Sequence, residues 1–111
     1  MKVCITSQGA TLDSPLEDRF GRAPYFIIAE SDNGSFDAVK NPYADGAGGV
    51  GPKAAQVLIA HGVKALISGQ VGGNAREVLT AAGIAMYTCR AGGSVKEALD
   101  QFTKNKLDQS T

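Results

Sequence analysis

The sequence predicts an α/β protein with one mixed five-stranded sheet and three helices. Three observations carry that prediction. Short β-branched runs such as Lys2-Val3-Cys4-Ile5-Thr6 and Ala65-Leu66-Ile67 mark buried strands, and in the second half they alternate with stretches of helical periodicity. Gln56–Val63 recurs as Glu77–Ile84, so a helix, a glycine and a short apolar strand occur twice in succession. Ser31-Asp32-Asn33-Gly34 has the Asn-Gly chemistry of a hairpin turn, which makes at least one strand pair antiparallel. At 111 residues the chain is one domain, with no low-complexity segment to divide it.

The elements follow in order. The first strand, Lys2–Thr6, ends at Ser7-Gln8-Gly9, and a polar loop runs on to Pro24. Tyr25–Glu30 is the second strand and Ser35–Lys40 the third, with Asn41-Pro42 breaking it. The run Gly46-Ala47-Gly48-Gly49-Val50-Gly51-Pro52-Lys53 then opens a helix, with Pro52 suited to its first position. Its stripe is Ala54, Val57, Leu58 and His61; the second helix repeats the spacing with Ala75, Val78, Leu79 and Ala82. Gly62 and Gly83 suit left-handed helix ends, and each leads into a strand, Ala65–Ile67 and Met86–Thr88. These are successive βαβ crossovers in a parallel sheet. Ser94-Val95-Lys96-Glu97 is a capping box for the third helix, whose stripe is Val95, Ala98, Leu99 and Phe102. The tail from about Asn105 is expected to fray.

Composition excludes several classes. A net charge of zero gives no basic face for nucleic acid. No apolar stretch reaches membrane-spanning length and no signal-peptide pattern opens the chain, so a cytoplasmic protein is expected, with no membrane partner. Cys4 and Cys89 are far apart, in neither redox nor zinc spacing.

Chain direction brings four connections to one edge of the sheet: 8–24, 41–53, 69–74 and 90–94. Three of them are glycine-rich and end at helix N-termini, whose free N–H groups and partial positive charge favour an anion. Arg19, Arg22, Lys53, Arg76 and Arg90 lie on or beside that edge. Open α/β sheets bind ligands at such an edge. Two familiar readings fail. Gly46, Gly48 and Gly51 spell GxGxxG, but Asn41-Pro42-Tyr43 separates the run from its strand and no acid follows Ala65–Ser68 to hold a ribose. Pro52 stands where a phosphate loop has its lysine, and Ala54 offers no hydroxyl for magnesium.

Phe20-Gly21-Arg22-Ala23-Pro24-Tyr25-Phe26, Asn41-Pro42, the glycine run, Gly69-Gln70-Val71-Gly72-Gly73-Asn74-Ala75 and Ala82-Gly83-Ile84 together resemble the dinitrogenase iron–molybdenum cofactor biosynthesis family, including its NifX-like and NifB C-terminal-like members. The resemblance covers nearly the whole chain. It implies a ribonuclease-H-like three-layer fold with strand order 3-2-1-4-5 and strand 2 antiparallel. It also implies a non-enzymatic carrier of a molybdenum-containing metal–sulfur cluster. Size is most similar to the small orange-protein branch, which implies a molybdenum–copper–sulfide cluster; an iron–molybdenum cofactor or precursor is the alternative. A MinD-like P-loop ATPase is implied as a protein partner. Where many relatives carry histidine, this chain has Arg19, and 44–51 contains none. Arginines and backbone donors suit a polyanionic thiometallate held by charge and hydrogen bonds.

The candidate cofactor-binding residues are therefore Arg19, Arg22, Gly48, Gly49, Gly51, Gly72, Gly73, Asn74 and Arg90, with Cys89 as a candidate metal ligand. Each has a plainer reading beside it. Arg19 and Arg22 can pair with Glu17 and Asp18 in a solvated loop. The glycines can be ordinary turn and cap residues. Cys89 can be a buried strand-end thiol, Cys4 a small core residue, and His61 a helix C-terminal residue favoured by the dipole. Enzyme chemistry finds little support. The first strand lacks the carboxylate that a two-metal nuclease needs, and no nucleophile–base arrangement is present.

Overall fold

The computed structural model describes residues 1–89 and 93–110. Within them lie β1 (Lys2–Ser7), β2 (Tyr25–Glu30), β3 (Phe36–Lys40), α1 (Val50–Ala60), β4 (Ala65–Ser68), α2 (Gly73–Ala81), β5 (Ala85–Thr88), α3 (Val95–Thr103) and β6 (Asp108–Gln109). A short 3-10 turn, Phe20–Arg22, precedes β2. The sheet order is β3-β2-β1-β4-β5-β6. β1 pairs antiparallel with β2 and parallel with β4, so β1, β4 and β5 all end at one edge, called here the carboxyl edge.

Alternation of side chains along the strands divides the core in two. Cys4, Phe26, Ile28, Leu66 and Met86 face α1 and α2, meeting Ala54, Ala55, Leu58, Ala75 and Leu79. Val3, Ile5, Ile27, Ala29 and Ile67 face α3 through Val95, Ala98 and Leu99. The result is three layers, with both βαβ crossovers on one face and the last helix on the other.

Three expectations are corrected. The sheet has six strands, not five: the tail returns as β6, antiparallel to β5, with Thr88 opposite Asp108. Ser110 N–H donates to Met86 O at 2.7 Å and Arg76 Nη1 to Ser110 O at 2.9 Å, so Ser110 is latched to α2 and β5. α1 begins at Val50 rather than Pro52, and Gly49 precedes it at φ 64°. His61 does not join the core. It is exposed at the end of α1, its Nδ1 2.8 Å from Val57 O, while Ala55 takes the buried place.

The Cys4 thiol is wholly buried, and burial alone holds its pKa well above the ordinary range. A raised folded-state value means that the folded chain binds the proton more tightly than the unfolded one. Its contribution is intact below about pH 8.5 and is lost progressively above it, at up to about 1.4 kcal/mol per pH unit. Urea unfolding of the wild type and Cys4→Ala is expected to show a stability gap that narrows above pH 9. A gap constant with pH contradicts this.

Candidate functional site

The carboxyl edge is assembled on the 3-10 turn. Phe20 is buried and stacks on Phe26 with ring centroids 5.5 Å apart, which fixes the turn to the core. Gly21 and Ala23 present their carbonyls to Asn41, whose Nδ2 donates to both at 3.1 and 2.9 Å. Asn41 Oδ1 accepts from Tyr43 N–H at 3.0 Å, so this buried amide uses both its donors and its acceptor. Arg22 Nη1 donates to Ala44 O at 3.0 Å and Gly46 O at 2.5 Å. On the other side, Gln70 N–H donates to Asp18 O and accepts Phe20 N–H at its own carbonyl. Thr6 Oγ1, buried at the end of β1, donates to Glu17 O and lies 3.1 Å from Ser68 Oγ. The connections 8–24, 41–49 and 69–72 are thereby brought together.

The glycines sort into two groups. A methyl at Gly69 would stand 1.9 Å from Asp18 Oδ1; at Gly46, 2.6 Å from a methyl of Val50; at Gly21, 3.1 Å from the other; at Gly51, 3.0 Å from Ala75 Cβ. These four are close-packing positions. Val50 wedges between Gly21 and Gly46, which is why α1 starts there. Gly48, Gly49, Gly72 and Gly73 have nothing within 4 Å of such a methyl and are exposed. Of the predicted glycines, Gly51 thus serves helix–helix contact, and the other four border open space.

Gly49 and Gly72 precede α1 and α2, and neither helix has a side-chain cap. α3 differs: Ser94 Oγ accepts from Glu97 N–H while Glu97 accepts from Ser94 N–H. The first N–H groups of α1 and α2 (Val50 and Gly51; Gly73, Asn74 and Ala75) therefore lack the satisfaction that α3 enjoys. Their partial positive charge adds to that of nearby cations.

Among the described residues, no arginine or lysine side chain pairs with a carboxylate, so the plainer alternative, in which Arg19 and Arg22 pair with Glu17 and Asp18, does not hold. Arg19 is exposed, bridged to Gln70 through its backbone, and its side chain makes no hydrogen bond to a described residue. Lys53 Nζ lies 5.8 Å from the Tyr43 ring centroid, a weak cation–π contact. Arg76 serves the tail. Arg90 lies outside the described residues.

Cys89 ends up elsewhere. Like Leu12, Tyr87, Phe102 and Leu107, it packs against the core on the α3 face, opposite the layer that α1 and α2 occupy. Burial, then the Glu97 carboxylate, raises its thiol pKa. A cavity of about 440 Å³ opens beside it, between Leu16, Glu97 and Leu107. Among the described residues no group of three or more His, Cys, Asp or Glu could hold a metal ion.

Sequence reasoning missed Asn41, Thr6 and Ser68 as organisers of the edge. Their only early signal is polarity at the end of an apolar strand. No helix among the described residues is long and apolar enough to cross a membrane.

Comparison with known proteins adds an independent line. The profile of the dinitrogenase iron–molybdenum cofactor family matches residues 1–105. An uncharacterised protein of Methanocaldococcus jannaschii is 31% identical over 97 residues, 85% of this chain and 81% of that protein. The apo form of the orange protein from Desulfovibrio gigas superposes with a TM-score of 0.94 at 31% identity, over 99% of this chain and 92% of that one. A putative NifB protein from Thermotoga gives a TM-score of 0.86 at 44% identity, over 97% and 91%.

Replacing Asn41 by Ala is expected to lower stability by about 2 kcal/mol, since one buried carbonyl, one partly buried carbonyl and one N–H lose their partner. Chemical denaturation measures this; a change under about 0.5 kcal/mol, the scale of an ordinary surface substitution, shows that Asn41 does not hold the edge.

Proposed function

The chain belongs to the dinitrogenase iron–molybdenum cofactor family, and we propose that it is a non-enzymatic carrier of an anionic, molybdenum-containing metal–sulfur cluster. The observation that carries the proposal is the contrast between helix ends. α3 is boxed by its own side chains, whereas α1 and α2 begin uncapped behind exposed glycines, and Arg19, whose guanidinium has no partner among the described residues, is bridged through its backbone to Gln70 just before α2. Such an arrangement suits an acceptor-rich polyanion.

The donor set fits binding by hydrogen bonds and charge better than ligation. No cluster of metal-ligating side chains is present among the described residues, and the Cys89 thiol is biased toward its protonated form. The contacts proposed for the cargo are the N–H groups of 48–51 and 72–75, with Gly48, Gly49, Gly72, Gly73 and Asn74 forming the surface. Arg19 and Arg90 supply charge. Because copper and molybdenum bridged by sulfide form compact thiometallate anions, a molybdenum–copper–sulfide cluster is the specific cargo proposed. Its likeness to the orange protein supports that choice, and an iron–molybdenum precursor is the alternative.

Anaerobic incubation with tetrathiomolybdate, with and without a copper salt, is expected to leave molybdenum on the protein after desalting, with new visible absorption. Copper-dependent retention selects the mixed cluster. Colourless, metal-free protein removes it and favours the iron–molybdenum alternative or the MinD-like ATPase partner, which an anaerobic pull-down separates.

Gly72→Asp provides a sharper test. Gly72 has φ −64° and ψ 157°, the extended geometry of a good N-cap, and room for a side chain. Aspartate there is expected to stabilise α2 by a few tenths of a kcal/mol. The same carboxylate stands at the proposed anion site. Retention of molybdenum should fall sharply while the melting temperature holds or rises. Undiminished retention excludes the N-terminus of α2 from the site.

A further inference from the structure

Arg22 sits where a ligand-binding arginine is expected, yet its contacts are internal. Both hydrogens of Nη1 are taken by backbone carbonyls, Ala44 O and Gly46 O, and the residue is only partly exposed. Gly46 N–H in turn donates to Tyr43 O at 3.0 Å, and Tyr43 N–H to Asn41 Oδ1. The chain from 41 to 46 is thus bonded inward at almost every step. Beyond Gly46 the pattern stops: Ala47, Gly48 and Gly49 are exposed and make no hydrogen bond to described residues. At the far end the run is fixed again, by Val50 wedged against Gly21 and Gly46. Both anchors are set by neighbouring residues of the same turn, Gly21 and Arg22.

From this geometry we propose that Arg22 is a positioning residue for the glycine run and not a ligand to the anion. With the carbonyls of 44 and 46 drawn onto the guanidinium, peptide planarity turns the adjoining N–H groups away from it. The free donors of 47–51 are then presented in a fixed arrangement before any cargo arrives. The positive charge of Arg22 is meanwhile largely committed to the protein's own carbonyls. Arg19, with no side-chain partner among the described residues, is left as the cation for the cargo. The inference rests on reading the glycine edge as the anion site, but its structural half stands without cargo.

Arg22→Lys separates the two roles, because it keeps the charge and changes the reach. Lysine is shorter by one bond than arginine at Nη1, and its ammonium lacks the planar fork. If Arg22 positions the loop, exchange of the hydrogen-bonded amides of Ala44 and Gly46 in the cargo-free protein should quicken about tenfold or more in Arg22→Lys, the equivalent of losing one charge-assisted hydrogen bond. Tetrathiomolybdate binding should weaken by a similar factor at low and high salt alike. Arg19→Ala should instead flatten the salt dependence of binding and leave loop exchange as in the wild type. The proposal is overturned if Arg22→Lys exchanges and binds like the wild type. It is equally overturned if Arg22→Ala flattens the salt dependence as Arg19→Ala does. Should the wild type take up no thiomolybdate, the reading of the edge fails, while the exchange comparison still decides whether Arg22 holds the loop.

Discussion

The buried amide of Asn41 ties the end of β3 to the backbone that leads into β2, and the carboxyl edge is built outward from that tie. Its Nδ2 holds the carbonyls of Gly21 and Ala23, residues on either side of Arg22. Without it, the buried carbonyl of Ala23 would lack a donor, a cost that folding proteins avoid, and the partly buried carbonyl of Gly21 would lose its partner. Because Asn41 fixes this turn, Arg22 can reach Ala44 and Gly46, and Val50 can enter the gap between Gly21 and Gly46. The start of α1, and therefore the direction of its first N–H groups, is a consequence of one satisfied amide.

Helix ends show where stability has been left unused. α3 carries a complete capping box and α1 and α2 carry none; at Gly49 the φ of 64° disfavours a capping side chain, but a Ser or Asp at Gly72 would improve α2. Stability alone does not explain the difference, since a side chain at Gly72 meets no obstacle. A protein whose function needs those donors free would keep them uncapped. The close-packed glycines obey another constraint: at Gly69 and Gly46 a side chain would collide with Asp18 or Val50. Identical residues a few positions apart thus answer to different physics.

Much of the fold was legible because its signals are local. β-branched runs gave β1, β2 and β4, the recurring Gln56–Val63 pattern gave both crossovers, and Ser94–Glu97 named its own cap. Strand β6 was not legible. Two exposed polar residues have no periodicity, and they pair only because β5 offers a free edge and Arg76 holds Ser110. The start of α1 was misjudged for a related reason: Pro52 is a strong local signal, but Val50 has a tertiary partner that outweighs it. The convergence of loops followed from strand direction alone. Which glycines pack and which stand open did not, because that depends on residues distant in sequence such as Asp18 and Ala75. Arg22 was recognised as important for its charge, whereas its contacts are to backbone carbonyls that no sequence pattern marks. Cys89 fell on the α3 face because side chains alternate along β5, a parity that its nearness to the edge concealed.

The separation of Cys89 from the glycine edge bears on how such a protein could release what it carries. A thiolate bond to a metal is strong and is broken by exchange chemistry, whereas hydrogen bonds from helix N-termini are individually modest and compete with water. A polyanion held by many such donors can be bound tightly in sum and still leave stepwise, without any protein atom entering its coordination sphere. The chemistry of the cluster would then be unaltered by its stay on the carrier. Pre-ordering by Asn41 and Arg22 matters most in this regime, because donors already aimed lose little entropy when the anion arrives. Rigidity in the supporting turn, rather than strength in any one contact, is what would let such an edge act as the proposed site.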